Sequence, residues 1–144
     1  MSLVRATRHR SCALLAALCL QALALSMPAT ADELANFHAA VEQASAQYRG
    51  AMAALETSGR EEATAAVQQF RQAWQSIIDR FGANRPTAFA NDEHYAGLFM
   101  QVDMRLVGAL IVIDIGSREA ARDALAPIQE TLAQLSARSA PTER

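Results

Sequence analysis

Beyond residue 31 the chain has two histidines, and each stands near carboxylates: Glu33 close to His38, and Asp92 and Glu93 beside His94. Neutral imidazole with carboxylate oxygen is a donor set for zinc, copper or non-haem iron. In an antiparallel bundle the start of a first helix, the end of a second and the start of a third share one end, which gathers His38, Asp79 and His94 as candidate metal ligands. On a helical wheel both histidines fall about 80–100° from the core-facing direction. That placement equally suits solvated or helix-capping roles. Met52, Met100 and Met104 carry thioethers, soft donors that hold monovalent copper. Met52 belongs to an apolar seam, and Met100 and Met104 have no third soft ligand in sight, so packing is their expected use. No phosphate-cradling glycine loop, His-Glu-x-x-His or Gly-x-Ser-x-Gly occurs, and no enzymatic activity is expected.

The chain that must position these residues has 144 of them, 51% hydrophobic and 19% charged, with a formal net charge of −2. That is room for one domain and too apolar for general disorder. It also lacks the basic excess that a nucleic-acid partner requires. Its first segment reads as an address. Arg5, Arg8 and Arg10 precede a nearly continuous apolar run over residues 12–25, and Ala29-Thr30-Ala31 supplies small residues after Pro28. A basic start, a short apolar core and an A-x-A exit predict a Sec-type signal peptide over residues 1–31, cleaved after Ala31, and a periplasmic protein. The run is shorter than the roughly 20 residues of a membrane span, so no stable membrane insertion is expected after cleavage. Cys12 and Cys19 leave with the leader, which excludes a disulfide framework and a thiolate metal site. Three of the thirteen arginines leave too, so ten bases face fifteen acids in the mature chain, a net of −5.

Residues 32–144 read as four helices, over about 33–56, 60–81, 92–115 and 118–137, in an all-α, antiparallel up-down-up-down four-helix bundle. The first aligns Leu34, Phe37, Val41, Ala44, Tyr48, Met52 and Leu55. Ser58 followed by Glu61 predicts a capping box at the second, whose seam is Ala63, Val67, Phe70, Trp74, Ile77 and Phe81. Pro86 interrupts the connection after Gly82, and Asn91 or Asp92 is expected to cap the third helix. Gly116 makes a turn and Ser117 caps the fourth, which aligns Ala121, Leu125, Ile128, Leu132 and Leu135 around a disruptive Pro127.

These lengths, the Ala31-Asp32 start, the loop after the second helix and the run from Gly116 to Ala120 resemble the periplasmic four-helix-bundle cytochromes, both the b-type and the c-prime group. The resemblance is topological and spans the whole mature chain. It implies a haem between the helices. Where the c-prime group carries Cys-x-x-Cys-His, residues 132–138 read Leu-Ala-Gln-Leu-Ser-Ala-Arg. Where the b-type group carries an early Met and a late His, Phe37-His38 occupies the first place and no histidine the second. No cofactor is therefore expected, with haem or a transition metal as the alternative.

The third helix departs from a simple amphipathic pattern. Tyr95, Leu98, Phe99, Val102, Leu106, Ala109, Leu110 and Ile113 make one apolar face, and Met100, Met104, Val107 and Ile111 make a second, nearly opposite. Either the loop over residues 83–91, with Phe89, folds back over this second stripe, or the stripe meets a partner. A self-complementary helix face favours a two-fold homodimer, with Asp103 and Arg105 flanking the stripe and setting its register, and Gly97 and Gly108 permitting close approach. The lack of a basic rim argues against laying the stripe on lipid. The expected function is that of an exported periplasmic binding or accessory protein, non-catalytic and homodimeric or docked to another helical partner through the third helix. The alternative is a periplasmic haem or metal-ion carrier or electron-transfer protein.

Overall fold

The computed structural model of the protein describes residues 29–141, and these form helices with no strand among them. The expected leader, with its three arginines and both cysteines, lies outside the described residues apart from residues 29–31. Helix α1 spans Ala29–Thr57, α2 Arg60–Ile77, α3 Tyr95–Asp114, α4 Arg118–Leu125 and α5 Ile128–Ser139. The last two are halves of the fourth helix expected from sequence. A π turn, Ile78–Gly82, prolongs α2, and a 3-10 turn, Thr87–Phe89, sits in the connection to α3.

Apolar spacing explains the core. Every expected seam residue of α2, from Ala63 to Phe81, is buried, as are Ala121, Leu125, Ile128, Leu132 and Leu135. In α1 the buried series is Phe37, Val41, Ala44, Tyr48, Ala51 and Leu55, and Met52 is only half-buried. Alternating steps of four and three keep a seam on one side of a helix, and Ala51 continues that alternation where Met52 would put two steps of four in succession. Helix α1 packs on α2, α4 and α5, while α3 packs on α2 and α4.

Three boundaries differ from the sequence reading or refine it. No capping box forms at α2: Gly59 is the N-cap, in extended conformation, and no side chain caps it. Ser58 is instead held to the end of α1, its N–H donating to the Ala54 carbonyl at 2.9 Å and its own carbonyl accepting from Arg118. At α3 neither Asn91 nor Asp92 is the cap: His94 is the N-cap and no side chain caps the helix, while Asp92 Oδ1 accepts from the His94 N–H at 2.9 Å in the turn before it. The first turn there is tight, with the Tyr95 N–H donating to the Asp92 carbonyl at 3.2 Å, so regular α-helix starts only at Tyr95. Pro127, which has no N–H, does more than bend the fourth helix: it divides it, with α4 ending at Leu125 and α5 starting at Ile128. The Ala126 carbonyl at the break accepts from the Gln129 N–H at 3.3 Å and, at 3.5 Å, from the Tyr48 hydroxyl of α1.

Between α3 and α4 the expected turn is realised in detail. Gly116 takes φ +99°, a conformation that costs side-chain-bearing residues. Its N–H donates to Ile113 at 2.9 Å and that of Ser117 to Val112 at 2.8 Å, the paired bonds of a Schellman ending. The Ser117 hydroxyl then accepts from the Ala120 N–H at 3.2 Å, capping α4.

Candidate interaction face

His38 is half-buried near the start of α1, with Nδ1 3.0 Å from the Ser139 hydroxyl oxygen at the end of α5. The Ser139 hydroxyl also donates to the Leu135 carbonyl at 2.7 Å. Asp79 is exposed and accepts from the Gln75 amide at 3.0 Å. His94 is exposed at the N-cap of α3. These three do not form a ligand set: among the described residues no three His, Cys, Asp or Glu side chains gather as a metal-holding group.

Asp92 is committed to structure. Arg138 of α5 donates to its Oδ2 at 2.5 Å, and the Arg138 guanidinium also lies 4.3 Å from the centre of the Phe89 ring. The Arg138 hydrogen bond, then the His94 N–H, hold the Asp92 carboxyl below its ordinary range. A carboxylate depressed in the folded state stabilises the fold above its unfolded pKa, about 3.9, and loses that contribution as pH falls through the folded value. Asp92→Asn is therefore expected to lower stability at pH 7 and to flatten its fall below about pH 4. Urea unfolding followed from pH 7 to pH 2 checks this; an acid limb as steep as the parent's contradicts it.

Phe89 settles where the long connection goes. It is fully buried, with its ring centre 5.2 Å from both Phe37 and Tyr95. Phe81 meets Phe37 edge-on at 5.1 Å, and the Tyr95 hydroxyl donates to the Phe81 carbonyl at 3.1 Å. Burial pushes that hydroxyl's pKa up. The connection thus closes the end of the core that begins with Phe37, and it does not cover the second stripe of α3.

That stripe is open. Met100 is 64% exposed, Met104 66%, Ile111 58% and Ile115 76%, and these are the exposed large hydrophobics among the described residues. Val107 is half-buried between them. Ile115 stands one turn beyond Ile111 and extends the face past the end of the helix, as the C-cap of α3, which helical periodicity alone does not include. On the opposite side, Tyr95, Phe99, Val102, Leu106, Ala109 and Ile113 are buried in the core. By length and composition alone α3 would suffice to cross a membrane, but its larger apolar face is committed to the core.

Charge and backbone add detail to the face. Asp103 lies 3.6 Å from Arg71 Nε of α2, while Arg105 has no ion-pair partner among the described residues. Gly97 and Gly108 both lie in open space: a Cβ built on either meets nothing within 4 Å. A mid-helix glycine such as Gly108 costs roughly 0.5–1 kcal/mol relative to alanine, and packing within the chain accounts for neither glycine. Gly50 of α1 is equally open, but no exposed large hydrophobic surrounds it. No family model matches the chain, and no curated protein or solved structure shows significant similarity to it.

Proposed function

We propose that this chain is an exported, non-enzymatic binding or accessory protein of the bacterial periplasm, acting as a homodimer through the outer face of α3. The observation that carries this reading is the exposure of Met100, Met104, Ile111 and Ile115 along one side of α3 and its C-cap. Soluble monomers rarely leave a contiguous apolar patch of more than a few hundred Å² open to water, and such patches mark interaction sites. The basic-apolar leader and its small-residue exit support export. Within the protomer we favour the up-down-up-down arrangement. In its support, the start of α1 meets the end of α5 at His38 and Ser139, while Glu56 at the end of α1 pairs with Arg122 of α4 at 3.4 Å.

Two measurements test the reading. The protein expressed with its leader is expected to be recovered from the periplasm with Asp32 as its first residue. In sedimentation velocity it is expected to run at twice the chain mass at micromolar concentration. A species of single-chain mass at every concentration overturns the dimer, and retention of the leader in a cytoplasmic protein overturns the export.

A further inference from the structure

Resting on the reading of α3 as a self-association face, we propose that two copies pack α3 antiparallel about a two-fold axis level with Leu106. Gly97 and Gly108 are then the sockets that receive the partner's Ile115 and the partner's Met104. The outermost line of α3, carried on to its C-cap residue, is Gly97, Gln101, Met104, Gly108, Ile111 and Ile115, in alternating steps of four and three. That is the spacing of a helix-pairing seam, with knobs from one helix entering holes on the other.

A two-fold axis across an antiparallel pair matches each position with the one equally far on the other side of the axis. Centred on Leu106, it sets Met104 against the partner's Gly108, Ile115 against the partner's Gly97 and Gln101 against the partner's Ile111. Each of the two glycines thus faces a large side chain, and each such match occurs twice. A parallel pair would instead stack glycine on glycine and methionine on methionine, leaving gaps beside collisions. At one socket a shallow groove is already present beside Gly97, lined by Met100, Gln101, Met104 and Arg105.

The area suffices. Given their exposures, Met100, Met104, Ile111 and Ile115 together present on the order of 500 Å², at the upper end of what a monomer's largest patch shows. Complete coverage of them in both copies removes at most about 1,000 Å² from water, the threshold of a specific interface, and flanking residues add to it. Asp103 and Arg105 fall on opposite flanks of this axis, so shape rather than pairing of these two charges sets the register. The two Arg105 guanidinium groups come to the same flank, a repulsion that the apolar seam must outweigh.

Cysteine cross-linking reads the register, using the full chain with Cys12→Ala and Cys19→Ala so that no native thiol competes. Under mild oxidation, Ile115→Cys mixed with Gly97→Cys is expected to give a covalent dimer, and each variant alone is expected to give none. Self-cross-linking of Ile115→Cys, with the parent sedimenting as a dimer, overturns the antiparallel register and leaves the dimer standing. A parent that sediments as a monomer removes both. Gly108→Leu tests the socket separately. The protomer has open space there, so helical circular dichroism should be kept and the thermal midpoint should fall by no more than the lost association accounts for, while the dissociation constant rises at least tenfold. A Gly108→Leu protein that dimerises as tightly as its parent overturns the socket.

Discussion

Met104→Glu combined with Val107→Glu is expected to produce a folded monomer, with the dimer dissociation constant raised at least 100-fold. Two carboxylates would be placed beside the proposed two-fold axis, where the seam opposite them is largely apolar. A charge removed from water without compensation costs several kcal/mol, and a 100-fold change requires only about 2.7 kcal/mol. The fold has little reason to suffer: Met104 is largely exposed and Val107 half-buried, on the side of α3 turned away from the core. Helical circular dichroism should stay near the parent's and the thermal midpoint should fall by no more than the lost association accounts for, while sedimentation changes from the dimer to the single chain. A double variant that still sediments as a dimer would falsify the assignment of this face.

Trp74→Ala is expected to have the largest effect on stability, a loss of about 3–5 kcal/mol. Trp74 is fully buried, its ring centre 5.2 Å from that of Phe99, and its indole N–H donates to the Phe99 carbonyl at 3.3 Å. One side chain thereby ties α2 to α3 by both area and a directional bond. Removing it leaves a cavity at the junction and takes a large share of the 5–15 kcal/mol that typically separates folded from unfolded. Because Trp74 is the sole tryptophan, the measurement is urea unfolding followed by circular dichroism rather than fluorescence. A midpoint equal to the parent's would show that the α2–α3 junction does not depend on this residue. Since α3 also carries the proposed dimer face, Trp74→Ala should weaken association as well, whereas Met104→Glu with Val107→Glu should cost no stability beyond the lost association.

The two variants separate what could be read along the chain from what could not. The burial of Trp74 was legible, because Ala63, Val67, Phe70, Trp74, Ile77 and Phe81 recur at helical spacing and only one side of a helix can face a core. The Gly116-Ser117 turn was legible for a local reason too: a glycine able to adopt positive φ beside a hydroxyl that caps the next helix is complete within a few residues. The cap of α2 was misread at the same scale, since Ser58 has two uses, and Arg118, distant in sequence, helps to decide between them. Ala51 and Met52 show a similar limit, for both are apolar and only the register of packing chooses one.

By itself, the sequence determined the all-helical character, the helical segments within a few residues and nearly all of the core. Periodicity and capping are local, and burial follows from them. It also marked α3 as apolar on two sides. Only the tertiary structure decided which side is spent inside the protomer and which remains in water. Phe89 was equally able to cover Met104 or to enter the core, and it packs against Phe37 and Tyr95. Likewise His38, Asp79 and His94 could be placed at one end of a bundle, but whether their side chains converge depends on packing between distant segments. Ser139 engages the first, Gln75 the second, and the third stays in water. What remains uncovered after those choices is the outer line of α3.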